Sequence, residues 1–162
     1  NLNLKPRPTQ NNPGTQVSEN FQGFNHFIND EGGTNVVGMN RNAESKYKLQ
    51  LLKNTTNSRN LTIKNTNDSY TIFIGRNPES ATADFNKTKD ISWVLHDDYL
   101  SRAHCSIRVQ KNNNKVKFIL EDLNSTNGTL INHNKVENED QILLHLGDQV
   151  EVGNIIFTLV QE

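Results

Sequence analysis

A single cysteine, Cys105, stands in this chain of 162 residues, which excludes an internal disulfide framework and a cysteine-based zinc site. Hydrophobic residues amount to only 33%, against about 45–50% in an ordinary globular chain. Asparagine-rich segments account for much of the shortfall, and they are unevenly placed. No apolar run approaches the ~18 residues expected of a membrane span, and the N-terminus lacks a signal-peptide core. Neither a membrane partner nor secretion is therefore expected, and a reducing, intracellular setting fits the lone thiol. Charge of one sign is lacking too. The net charge is −1, whereas a sequence-independent grip on nucleic acid needs a basic surface. No direct nucleic-acid partner is expected, although net charge leaves open where individual arginines gather. Neither a glycine-rich nucleotide loop nor a kinase catalytic loop occurs, so we expect no cofactor, no metal and no enzymatic activity in these residues.

What is present divides unevenly. Residues 1–44 form a polar extension in which Pro6, Pro8 and Pro13 lie among Asn, Gln and Thr, with too few apolar groups to bury. Within it Phe21, Phe24, Phe27 and Ile28 recur at helical spacing before Gly32 and Gly33, which predicts a short helix or turn in a mostly irregular segment. From Lys46 onward the pattern is β. Tyr47, Leu49 and Leu51 alternate with polar residues, Leu61 and Ile63 follow, and Tyr70 to Ile74 is β-branched and aromatic. A polar stretch from Asn77 to Asp90 reads as a long loop before a strand over residues 91–95. Cys105, Ile107 and Val109 alternate with Ser106, Arg108 and Gln110, the period of a half-buried antiparallel strand. Asn112 to Asn114 mark a hairpin tip, with residues 116–120 returning. Further strands are expected at 129–131, 149–152 and 155–160, the last two joined by a tight Gly153-Asn154 turn. Many short strands without a long helix mean an all-β sandwich or barrel over residues 45–162.

Polar chemistry collects where strands meet loops. Gly75-Arg76 ends one strand; glycine lets another backbone approach closely, and arginine presents a planar fork of donors suited to phosphate. Ser101-Arg102-Ala103-His104 leads into the next long strand, and Ser125-Thr126-Asn127-Gly128-Thr129 joins two others. Taken singly, each piece is ordinary: a surface arginine, a loop serine, a turn asparagine.

In this order and on an all-β background, Gly75-Arg76, Ser101 to His104, Ser125 to Thr129 and Leu146-Gly147-Asp148 resemble the forkhead-associated (FHA) domain. The resemblance implies a β-sandwich of about eleven strands in two sheets over residues 45–162, whose apical loops bind phosphothreonine-containing proteins or peptides. It implies that Arg76 and Ser101 contact the phosphate, that Arg102 reaches phosphate or peptide, and that Thr126 lines the pocket. Asn127 is implied to hydrogen-bond the peptide backbone, while Gly75, His104 and Gly128 support the loops. Tyr99 occupies the place where some relatives carry a charged residue that reads the third residue after the phosphothreonine, so an acidic preference there is not expected. The family's usual hosts imply a regulatory fragment of a larger signalling, DNA-damage or cell-cycle protein, in the nucleus rather than the cytoplasm. For the isolated domain a monomer is expected.

Two other classes compete. A hydrolase can be drawn from Ser101, His104 and Asp97 or Asp98, but Ser101 lies on no nucleophile elbow. A phosphate-independent interaction domain, using its sheet face, is the alternative that equal binding to phosphorylated and plain peptide would favour.

Overall fold

The structure is a computed structural model that describes Leu4 and residues 46–53, 58–64 and 68–162. Apart from Leu4, the expected extension at residues 1–44 and its short helix lie outside the described residues, as do the turns at 54–57 and 65–67. The remainder is a two-layer β-sandwich, because strand after strand has one apolar face to bury. In chain order the strands are β1 (Tyr47–Lys53), β2 (Leu61–Ile63), β3 (Tyr70–Gly75), β4 (Ile91–Val94), β5 (Cys105–Asn112) and β6 (Lys115–Asp122). Then come β7 (Thr129–Ile131), β8 (Asn134–Lys135), β9 (Ile142–Leu144), β10 (Gln149–Val152) and β11 (Ile155–Gln161).

One sheet has the order β2-β1-β11-β10-β7-β8 and the other β4-β3-β5-β6-β9. Alternate residues meet between them. Ile72, Ile74, Ile107 and Leu120 come from the five-stranded sheet, while Leu49, Ile131, Val150, Phe157 and Leu159 come from the six-stranded one. Trp93 packs edge-on against Phe157 at 5.1 Å between ring centres and satisfies its indole N–H on the Arg59 carbonyl at 2.8 Å. Pairing is antiparallel except between β3 and β4, which run parallel from Ile72↔Ile91 to Gly75↔Val94. Both strands therefore end at the same edge of the sandwich, and so do their outgoing loops. At the β5–β6 tip, Asn113 (φ 51°) and Asn114 (φ 68°) adopt left-handed conformations, which asparagine tolerates better than most residues.

Two expectations need correction. The stretch from Asn77 to Asp90 is not all loop, because Pro78–Ala81 forms a single helical turn, α1. Proline sits where its missing N–H costs nothing, and Glu79 lies in the first turn, favourable to the helix dipole. Four residues are too few to display a helical period. Strand β9 was not anticipated either. Its three residues pair only with β6, from Phe118↔Leu144 to Leu120↔Ile142, and three adjacent apolar residues show no apolar–polar alternation to read.

Candidate functional site

Strand β3 ends at Gly75 because nothing larger fits. A Cβ there would land on the carbonyl oxygen of Arg102 and 2.7 Å from that of Ser101. The β4–β5 loop thus lies directly on the end of β3, and two backbone bonds hold it: Arg76 N–H to Ser101 O and Asn77 N–H to Arg102 O, each 3.1 Å. Residues far apart in sequence become neighbours through this contact. The Arg76 side chain is exposed, yet its Nε donates to Leu100 O at 2.6 Å. One donor of the guanidinium is fixed to the loop, and the residue lines the groove described below.

Beneath the loops lies His104, fully buried. Its Nδ1 accepts from Ser101 N–H at 3.1 Å, and its Nε2 meets the Gly128 carbonyl at 2.8 Å. An imidazole nitrogen that accepts from a backbone N–H leaves the proton on the other nitrogen, so Nε2 donates. The ring therefore fastens the β4–β5 loop to the β6–β7 loop. Burial holds its pKa below the usual 6.5, partly offset by the Gly128 hydrogen bond and by Asp122 and Asp97. Gly128 (φ 86°) supplies the left-handed turn that this contact needs.

The β6–β7 loop has an internal frame of its own. Buried Asp122 accepts from Ser125 N–H at 3.0 Å, from Ser125 Oγ at 2.6 Å and from Thr129 Oγ1 at 2.6 Å. Ser125 Oγ in turn accepts from Gly128 N–H at 3.0 Å. The neighbouring Cys105 thiol is pushed well above its ordinary pKa by burial and then by Asp122, so it stays protonated and unreactive. A second buried carboxylate, Asp97, accepts from Tyr99 N–H at 3.2 Å and from Asn154 N–H at 3.1 Å. It ties the β4–β5 loop to the β10–β11 turn, where a Cβ on Gly153 would strike its Oδ2. Neither Asp122 nor Asp97 was foreseen in this role; both look in sequence like loop-edge acids.

These frames bring Arg76, Ser101, Arg102 and Thr126 to the lining of one groove of about 680 Å³. Ser101 Oγ accepts from Thr126 N–H at 3.0 Å and lies 3.5 Å from Thr126 Oγ1. Two guanidinium groups and two hydroxyls at one mouth form a local cationic, donor-rich site on a chain of nearly neutral net charge. Asn127 stands apart from that lining. Its Nδ2 donates to Tyr99 O at 2.9 Å, so one amide hydrogen closes the gap between the two loops while Oδ1 remains for a ligand. The hydrolase arrangement is not assembled. Both His104 nitrogens are spent on backbone and Asp97 accepts from Tyr99 and Asn154, so neither is arranged as a base on Ser101 Oγ.

Comparison with known proteins agrees with this architecture. Nothing among curated protein sequences matches the chain. Among solved structures, the FHA domain of a Chlamydia trachomatis protein is 27% identical with a TM-score of 0.52, covering 72% of this chain and 97% of that one. Full-length yeast Pml1p shares the fold at 17% identity and a TM-score of 0.55, covering 80% and 90% of the two chains. The FHA domain model matches residues 72–153. That match runs from inside β3 to the β10–β11 turn and takes in every loop that meets at Gly75 and His104, and on it the chain belongs to the FHA domain family.

Proposed function

We propose that this chain is a phosphothreonine-dependent interaction module whose apical loops hold a phosphorylated peptide. The observation that carries this reading is the gathering of Arg76, Ser101, Arg102 and Thr126 at one groove mouth, over a frame that spends the buried acids on backbone. A phosphothreonine brings about −1.5 to −2 charges and three strong acceptor oxygens. Two guanidinium groups, one already oriented through its Nε, and two hydroxyls supply matching donors. Each charge-assisted hydrogen bond contributes roughly 1.5–3 kcal/mol, and ordering a flexible peptide takes several kcal/mol back. A dissociation constant near the micromolar range, about −8 kcal/mol, follows. The mark has to be written by a kinase in the same compartment. By the hosts such domains keep, we place the module in a larger regulatory protein inside the cell, in the nucleus rather than the cytoplasm.

The test is a degenerate phosphothreonine peptide screen, followed by calorimetric titration of the best sequence with and without its phosphate. Micromolar binding of the phosphorylated form, lost on dephosphorylation, is the expected outcome. Equal binding of both forms would replace this reading with a phosphate-independent one that uses the sheet face.

A further inference from the structure

The groove does not stop at the mouth. It continues over the outer face of the five-stranded sheet, floored by Phe73 and Ser106 and reaching Thr71, Arg108 and Glu121. Phe73 faces Ser106 and Thr71 faces Arg108 across the β3–β5 ladder, so these pairs are successive steps away from the apex. Residues just after α1 raise one wall, with Phe85 packed on Phe73 at 5.6 Å between ring centres. In that wall the Thr82 hydroxyl is buried and meets no hydrogen-bond partner among the described residues.

Charge along the groove is mixed. Arg76 and Arg102 stand at the mouth, Asp84 belongs to the wall after α1, Glu121 pairs with Ser106 one step down, and Arg108 lies beyond. Arg108 is half-buried, yet among the described residues its guanidinium has no carboxylate partner. A half-buried cation without a partner is poorly compensated, and its planar fork suits an anionic oxygen pair. Thr71, its neighbour across the ladder, precedes Arg76 by five residues, or roughly 16 Å of strand at ~3.3 Å per residue.

We propose that the groove takes one flank of the bound phosphopeptide in extended form, and that Arg108 receives an anionic side chain about five residues from the phosphothreonine. This rests on the phosphothreonine reading above and adds a second reading point to it. Glu121, lying between the two cationic points, disfavours an acid placed too near the phosphate. The register of the acid, not merely its presence, is what the groove selects.

The experiment uses the full chain and fluorescence anisotropy. A phosphothreonine peptide with neutral flanks carries a single glutamate moved through each position of either flank, with phosphoserine and lysine in matching series. Glutamate at one position about five residues out, on one flank only, should tighten binding about threefold to fivefold, the range of a half-exposed ion pair. Phosphoserine there should tighten it at least as much, and lysine should weaken it. Arg108→Glu should invert the glutamate–lysine preference without changing affinity for a short phosphopeptide that ends at the groove mouth, and Arg108→Gln should erase the preference. Thermal melts of both variants check the fold. A flat glutamate scan, or a preference that survives both substitutions, overturns this proposal while leaving the phosphothreonine reading intact. Failure to bind any phosphopeptide overturns both.

Discussion

The two ends of β10 make the informative comparison. At its start, the turn around Gly147 (φ 88°) is closed on itself. Asp148 accepts from His145 N–H at 2.7 Å and from Asn132 Nδ2 at 3.0 Å, and Asn132 Oδ1 accepts from Gln149 N–H at 2.9 Å. At the other end, the β10–β11 turn meets loops just as rich in Asn, Asp, Ser and Gly, and just as densely bonded. The difference lies in layering. Around the apex two carboxylates, Asp97 and Asp122, are buried under the loops and satisfied by backbone and side-chain donors, as buried Asp148 is at the other end; the apex differs in what lies above them. Arginines and hydroxyls are left on top. A loop cluster becomes a site when its internal bonding uses up the acceptors and leaves donors facing outward. Where side-chain acceptors and amides satisfy one another, the same composition yields only a turn.

Removing an outward donor at the apex should therefore cost binding far more than stability. Arg76→Ala is expected to weaken phosphothreonine-peptide binding by on the order of a hundredfold or more, about 3 kcal/mol, from lost charge-assisted bonds. Its Nε bond to Leu100 O makes it more than a bare surface arginine, so a melt should show a small loss, within about 1 kcal/mol. Titration beside the melt separates the two effects; unchanged affinity would remove Arg76 from the site. A paired substitution strikes the comparison itself. Asp122→Ala and Asp148→Ala each strip a buried acceptor from several donors and should each cost about 2–3 kcal/mol of stability. Only Asp122→Ala should also weaken peptide binding in protein that is still folded. Equal effects on affinity at the two ends would mean that layering does not distinguish them.

Much of this arrangement is legible in the residues because strand alternation breaks where polar chemistry begins. Gly75-Arg76, Ser101-Arg102 and Thr126-Asn127 all sit at such breaks, and alternation, β-branched composition and turn signals together mark out nine of the eleven strands. What stays hidden has a common physical cause. Asp122 ends a strand like any surface acid, and only the fold shows it turned inward beneath Ser125 and Thr129. The Asn127 bond to Tyr99 and the groove along Phe73, Ser106 and Arg108 each need elements distant in sequence, so no local period announces them. Strand β9 and helix α1 fail for a local reason: Ile142-Leu143-Leu144 are three adjacent apolar residues with no alternation, and Pro78–Ala81 is a single turn with no helical repeat.

His104 sharpens the comparison by joining the two apical loops with no charge at all. His104→Ala leaves the Ser101 N–H and the Gly128 carbonyl unpaired in a buried place, for about 2 kcal/mol of stability and a parallel loss of affinity. Its titration gives an independent check. The folded pKa lies below 6.5, so near and below that value the unfolded chain binds a proton that the folded chain refuses. Stability from this group is complete above pH about 6.5 and falls as pH drops through that value, until the folded ring also protonates. Melts between pH 8 and 5, run without peptide because phosphate itself titrates near pH ~6, should show that decline in the parent protein. In His104→Ala the slope should be shallower. Identical slopes would show that the ring carries its proton inside the folded protein.

The smallest expected effect tests whether the apex reads more than phosphate. Phosphothreonine and phosphoserine present the same oxygens, so Arg76 and Ser101 cannot separate them. They differ by one methyl, which contributes roughly 0.8 kcal/mol when buried, and by the stiffer χ1 of threonine, which leaves less rotamer freedom to lose. Any preference must come from a small apolar niche, and the place for it is beside Thr126 and Asn127. There the Asn127 bond to Tyr99 O holds the β6–β7 loop against the β4–β5 loop, so the niche has fixed walls. Phosphothreonine should therefore win by about tenfold, or ~1.4 kcal/mol, in otherwise identical peptides. Asn127→Ala should shrink that ratio as well as the affinity, because it frees the wall as it removes a peptide contact. Calorimetric titration of the two peptides against both proteins measures the ratio. Matched affinities in the parent protein would mean that the apex is a general phosphate reader, and that the ordered Thr126–Asn127 loop shapes no methyl pocket.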